Sequence, residues 1–387
     1  MGRLVVRDVM LARDGRLDLA DIVCEDRQVA GVAPPGKVEA AGAEVVEGRG
    51  MIAGPGFVDV HVHGGGGHSF FTDDAAHVRA YARWAPSVGV TSFLVSTAGR
   101  DATETERRLA ALAGAIGPDG EGAEALGFHL EGPFVNPARR GAFDASQLRP
   151  PSVPEYERYA RAAGGHIRQV TVAPELPGAL DLVRAVVASG AVAAMGHTDA
   201  TVAEARAGFD AGITHATHLF NAMRPIHQRE GGAIVAALLE RGVTCELICD
   251  GAHVSPEVLA LAYHVLGPGR TVAVSDNLHI AGTGAVRGRF GAEAVSASGG
   301  AAVRADGTIA GSVTTFDQHF RNVCHFLGLG PADAFRICAE NAARLAGVGD
   351  RKGRLEPGMD ADIILLDDDL NVVATVCRGR LAYQRTR

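Results

Sequence analysis

A rhythm in the middle of the chain limits the fold most. Short apolar runs recur, most of them closing on a histidine, a glutamate or an aspartate. They end near His63, Thr97, Glu131, Glu175, His197, His218, Asp250 and Asp276. Between them lie segments with helical spacing, for example 75–87, 103–115, 179–189, 202–211, 233–241 and 256–266. Eight strands alternating with helices predict a parallel (β/α)8 barrel of the TIM type. Residues 331–346 read as a closing helix.

The two ends of the chain read differently. Residues 1–52 hold short β-branched runs such as Arg3-Leu4-Val5-Val6 and Asp21-Ile22-Val23-Cys24, separated by Asp14-Gly15 and Pro34-Pro35-Gly36. The runs Ile363-Ile364-Leu365-Leu366 and Val372-Val373-Ala374-Thr375-Val376 look alike. We therefore expect a small β-sandwich domain built from 1–52 plus 358–387, with the barrel spanning 53–357.

Composition excludes several function classes. A net charge of −8 argues against nucleic acid as a partner. No apolar run approaches the ~20 residues of a membrane span, and Met1–Val6 lacks a secretory h-region. Six scattered cysteines without a C-x-x-C pair fit inert thiols in a reducing cytoplasm.

The first barrel strand carries the sharpest chemical signal. In Phe57-Val58-Asp59-Val60-His61-Val62-His63 the two histidines fall on one side of the strand, about 6–7 Å apart. Two imidazoles so placed suit one metal ion, or else two ordinary buried hydrogen bonds. Gly64 to Gly67 follow and strip bulk from the strand's exit. The other strand ends break the tie. Glu131, His197, His218, Asp250 and Asp276 all belong to one rim of a barrel, where active sites form. So many buried polar groups are costly unless paired or metal-bound. Only Lys37 and Lys352 are lysines, and neither ends a strand, so any ligand shared between metals must be a glutamate or aspartate.

Longer motifs then carry a resemblance. They are His129-Leu130-Glu131-Gly132-Pro133-Phe134, Gly196-His197-Thr198-Asp199-Ala200-Thr201, Thr217-His218-Leu219-Phe220-Asn221-Ala222-Met223, Asp250-Gly251-Ala252-His253 and Ala310-Gly311-Ser312. With the late Gly353-x-Leu355-x-Pro357-Gly358 they occur in order, nearly end to end. The chain resembles the N-acetylglucosamine-6-phosphate deacetylases of the amidohydrolase superfamily. The resemblance implies hydrolysis of the N-acetyl amide of an amino sugar 6-phosphate. It implies one or two divalent metal ions, zinc or iron, held by His61, His63, Glu131, His197 and His218, with Glu131 bridging. It implies Asp276 as the catalytic acid and base, substrate contacts from Asn221, Ala222, Arg229, His253, Ala310 and Gly311, and a homodimer. His129 reads as a group behind the ligands.

Three departures bear on the substrate. Where the family has Gly-Ala-His, this chain has Gly141-Ala142-Phe143, and phenylalanine cannot donate to an acetyl carbonyl. After Asp276 the family's small residues become Asn277-Leu278-His279, whose bulk is expected to reshape the pocket floor. His279 is the candidate replacement donor. Arg229-Glu230-Gly231-Gly232 replaces Arg-Glu-Pro-Gly. These leave open the same chemistry on a different N-acyl substrate, such as an unphosphorylated amino sugar or a specialised metabolite.

Overall fold

The computed structural model describes residues 2–386 except Asp119 and Glu121; the expected domain limits at 1 and 387 lie outside them. Eight parallel strands pair in chain order: Phe57–Val62, Val90–Thr97, Glu124–Glu131, Ile167–Val172, Val192–Met195, His215–Ala216, Thr244–Ile248 and Thr271–Val274. Residues following the last strand bond to the first. The Asp276 N–H donates to His61 O at 2.8 Å, and the His63 N–H to Asn277 O at 2.9 Å. The ring is thereby closed, as the alternating pattern requires. Strands one to three are buried at every position, which explains their near-continuous apolar reading.

Helices form where the spacing predicts them. Val202–Ala211 starts on a capping box in which Thr201 and Glu204 satisfy each other's backbone N–H. The closing segment Pro331–Phe335, Arg336–Glu340 and Asn341–Leu345 is helical throughout, with a π-helical turn in its middle. Its Ala342 and Ala343 pack against Val58, Leu126 and Val274. Among the described residues no helix is long and apolar enough to cross a membrane, and all six cysteines are free.

The termini do meet in one sheet. Ile363–Leu366 pairs antiparallel with Ile52–Pro55, which pairs parallel with the long first strand Arg3–Arg13. That strand shifts register between Val6 and Val9, so its first half pairs with Glu44–Glu47 instead. The sheet wraps an apolar core of Leu4, Val6, Leu11, Ile22, Ile363 and Val376. Gly56 carries the chain straight from this sheet into the barrel. A Cβ there would meet the Thr91 side chain at 2.2 Å, so only glycine fits.

One element was not expected. After the eighth strand, Arg287–Phe290, Glu293–Ser298, Ala301–Val303 and Ile309–Ser312 form a four-stranded antiparallel sheet. Its strands are short and rich in alanine, serine and glycine, with little apolar alternation to read. It delivers Phe290, Ala310 and Gly311 to the mouth of the barrel.

Candidate metal centre and substrate cavity

The strand ends converge as the sequence suggests. His61, His63 and Asp276 form one group of candidate ligands, and Glu131, His197 and His218 a second. In each, the ligand atoms lie within 4.8 Å of one another. Glu131 reaches both: its Oε1 faces His197 Nε2 at 3.0 Å and His218 Nε2 at 2.9 Å, and its Oε2 faces His63 Nε2 at 3.1 Å. Asp276 Oδ1 lies 3.3 Å from His63 Nε2 and 3.6 Å from His61 Nε2.

The far side of each ring decides what the near side offers. His61 Nδ1 donates to Glu246 Oε2 at 2.9 Å, His63 Nδ1 to Ser96 O at 3.0 Å, and His197 Nδ1 to Arg139 O at 2.9 Å. With Nδ1 committed as donor, a neutral ring presents an unprotonated Nε2 to the centre, the tautomer a metal ligand needs. Nε2 of His61 is buried with no hydrogen-bond partner, and Nε2 of His197 and His218 face each other at 3.0 Å. Nδ1 of His218 has no partner to fix its ring, so His61, His63 and His197, with Nδ1 committed on each, carry the case for a cation at the centre.

The electrostatics point the same way. Glu131, Glu246 and Asp276 are all buried, yet among the described residues no lysine or arginine pairs with them. Burial alone would lower the His63 pKa, but Asp276 and Glu131 push it up to about 9. Burial alone would raise Glu131, but with no cation bound, positive charge on His61 and hydrogen bonds from the neighbouring rings hold it well below the usual carboxylate range. The site demands positive charge, and the donor set of imidazoles and carboxylates fits a divalent ion.

Three of these residues are held in strained backbone. His197 (φ 46°), His218 (φ 28°) and Asp276 (φ 52°) all lie in the left-handed region, which side chains other than glycine rarely occupy. Ala222 joins them at φ 51°. His129 stays behind the ligands as expected, bonded to Ser96 Oγ at 3.0 Å and Thr171 Oγ1 at 2.9 Å.

In front of the two groups lies a cavity of about 280 Å³. It is lined by Ala142, Phe143, Asn221, Ala222, His253, Ala310 and Gly311, all expected from the sequence, and by Phe290, which was not. His253 is fixed by donating Nδ1–H to Asp250 Oδ2 at 2.7 Å, with its Nε2 3.9 Å from Asp276 Oδ2. Phe143 and Phe290 meet at 5.6 Å between ring centres, making one wall apolar.

The remaining expected groups lie outside the cavity of this chain. Arg229 is exposed and does not line the cavity. The backbones of His227 and Glu230 bond to each other, and the Glu230 carboxylate takes the N–H groups of Val202 and Gly232, which folds this loop away. Asn277, Leu278 and His279 do not line the cavity either. Leu278 packs behind Gly311 within the apolar cluster of Phe143 and Phe290, so its bulk supports the wall instead of reshaping the floor. His279 lies beside Gly288, with its carbonyl taking the Gly67 N–H, and is no replacement donor here.

The family model of amidohydrolases matches residues 52–382. The chain belongs to the amidohydrolase family. This amidohydrolase is 33% identical to the N-acetylglucosamine-6-phosphate deacetylase of Bacillus subtilis (strain 168), covering 98% of this chain and 97% of that one. It is 31% identical to the N-acetylgalactosamine-6-phosphate deacetylase of Escherichia coli O157:H7, over 96% and 97%. Among solved structures it is similar to N-acetyl-D-glucosamine-6-phosphate deacetylase from Mycobacterium smegmatis, at 32% identity and TM-score 0.89, covering 99% of this chain and 100% of that one. As a member of this family the chain is a hydrolase.

Two residues of the site were missed in the sequence. Glu246 is a lone acid inside the apolar run Cys245-Glu246-Leu247-Ile248-Cys249, a misfit that marks a buried polar role. Phe290 carried no signal, because its strand has no readable period.

Proposed function

We propose that this amidohydrolase removes the acetyl group from an N-acetyl amino sugar 6-phosphate, releasing acetate and the free amine. The observation that carries the reading is Glu131 facing both ligand groups at the floor of a cavity that Asp276 also lines. His197, His218 and Glu131 would hold one divalent ion, and His61 and His63 a second beside Asp276. Such an ion supplies Lewis acidity to an amide carbonyl and to water.

The chain's own residues do the rest. Asp276 takes a proton from the attacking water and passes it to the amide nitrogen as the C–N bond breaks. Burial would raise its carboxyl, but positive charge at the centre, carried by His61 and His63 when no ion is bound, lowers it and keeps it ionised for the first step. His253, oriented by Asp250, is placed for a sugar hydroxyl or phosphate oxygen at the cavity edge. The relatives named for glucosamine and galactosamine phosphates support the substrate class and leave the epimer to experiment.

A second reading has specific support. Phe143 and Phe290 give the cavity an apolar wall, and Arg229 lies outside it. Both favour a different N-acyl substrate without a phosphate. Turnover of N-acetylglucosamine 6-phosphate against N-acetylglucosamine by metal-loaded protein separates the two. The first reading expects strong preference for the phosphate; equal or reversed rates overturn it in favour of the second.

A further inference from the structure

Behind the ligands, in the barrel interior, Glu246 accepts four hydrogen bonds. Its Oε2 takes His61 Nδ1–H at 2.9 Å and the backbone N–H of His218 at 2.9 Å. Its Oε1 takes Gln169 Nε2–H at 2.9 Å and His215 Nε2–H at 3.0 Å. The side chain has no exposure at all. His61 belongs to one ligand group and His218 to the other, so a single oxygen ties the first barrel strand to the sixth, across both halves of the centre. Gln169 and His215 brace the second oxygen from the fourth and sixth strands, and His215 is itself anchored by Thr244 Oγ1 at 2.7 Å.

We infer that Glu246 is the positioning residue of the metal centre, setting the tautomer of His61 and the spacing of His61 from His218; this rests on the metal reading above. Only an ionised carboxylate suits the place. Four donors converge on it, and an amide would turn its own donor toward two of them. An outer carboxylate on a ligating imidazole also makes that ring a better ligand, and losing such a partner costs 10–100-fold in metal affinity. A buried acid with no ligand to orient would be a cost without return.

The test is zinc affinity, measured by chelator competition on purified full-length protein, with the visible spectrum of the cobalt-loaded form as a second readout. Glu246→Gln is expected to bind one ion about 10–100-fold more weakly and to shift the cobalt bands, while the metal-free protein stays folded at a lowered thermal midpoint, because the amide opposes two buried donors. A role confined to folding would also lower that midpoint but leave affinity and spectrum alone. Wild-type affinity in folded Glu246→Gln overturns the inference. If Glu246→Gln yields no folded protein, Gln169→Leu carries the test, since it removes one donor from the same carboxylate. Weakened zinc binding by the folded variant supports the role, and unchanged binding overturns it. A wild-type chain that binds neither zinc nor cobalt fails the metal reading itself, which distinguishes that failure from this one.

Discussion

The third barrel strand begins and ends on a buried glutamate, and the two live in opposite worlds. Glu124, at its start, meets fixed cations: Arg351 at 2.6 Å and Lys352 at 3.1 Å, with Arg378 at 3.9 Å. Asp360 and Asp362 complete the cluster on Lys352 Nζ, at 2.9 Å and 2.5 Å. Three carboxylates therefore face three permanent positive charges. Glu131, at the strand's end, has only imidazoles around it. One end of the barrel is electrostatically closed and the other is incomplete. That contrast teaches how to find the site: structural charge clusters balance themselves, whereas a site for a cation leaves the balance to its ligand.

The largest effect that could break the comparison lies at the incomplete end. His197→Ala removes a candidate ligand, and we expect most of the bound metal and all measurable hydrolysis to go, while the fold remains. Stoichiometric metal in that variant, by elemental analysis, would contradict the assignment. Asp276→Asn separates the proton from the metal. It should keep most of the metal and lose at least ~10²-fold in kcat, the scale of a positioned acid–base group.

The balanced end should respond in the opposite way. Lys352→Met leaves Asp362 buried without its cation, while Asp360 keeps Arg351 at 2.6 Å, and breaking a buried pair costs about 3–5 kcal/mol. We expect a large fall in the denaturation midpoint with kcat per folded molecule unchanged. A loss of kcat at full stability would mean that the two ends are not independent.

The difference between the ends also explains what could be read from sequence. The rim was legible because each ligand closes an apolar run, and the barrel period then gathers those closures on one face. The balanced cluster was not, because Glu124 and Lys352 are 228 positions apart and nothing local announces their contact. The cavity wall was legible only in part. Phe143 stood out against a motif, but Phe290 comes from a sheet without a period. Arg229 lies outside the wall for a related reason: a motif fixes a loop's residues, while Glu230's bonds to Val202 and Gly232 fix where the loop goes.

A smaller change sharpens the picture of the cavity. Phe143→His offers a donor where the wall is apolar. One donor at a developing oxyanion is worth ~10²–10³ in rate when fully engaged. Phe290 crowds the position, so a gain toward the lower end of that range is expected, on N-acetylglucosamine 6-phosphate only. No gain, together with turnover of N-acetylglucosamine at least as fast as that of its 6-phosphate, favours the unphosphorylated substrate.

The mildest perturbation alters no residue. Burial alone would raise Glu124, but its bonds and charges with Arg351 and Lys352 hold it at about 2, against 4.5 ordinarily. The folded chain thus binds fewer protons than the unfolded one between these values. Its stabilisation is fully present above about pH 4.5 and is lost as pH falls from there toward 2. The rim should fail earlier. Histidine ligands must be deprotonated to hold a metal, and a free imidazole titrates near ~6.5. On acidification we therefore expect metal and activity to be lost first, with far-ultraviolet circular dichroism unchanged, and the fold to yield only below about pH 4.5. Coincident loss of both signals would mean that the metal holds the fold as well as the substrate, and the separation of the two ends would fall. In Lys352→Met the second transition should move to higher pH while the first stays where it is, because the weakened cluster is the one that acid attacks last.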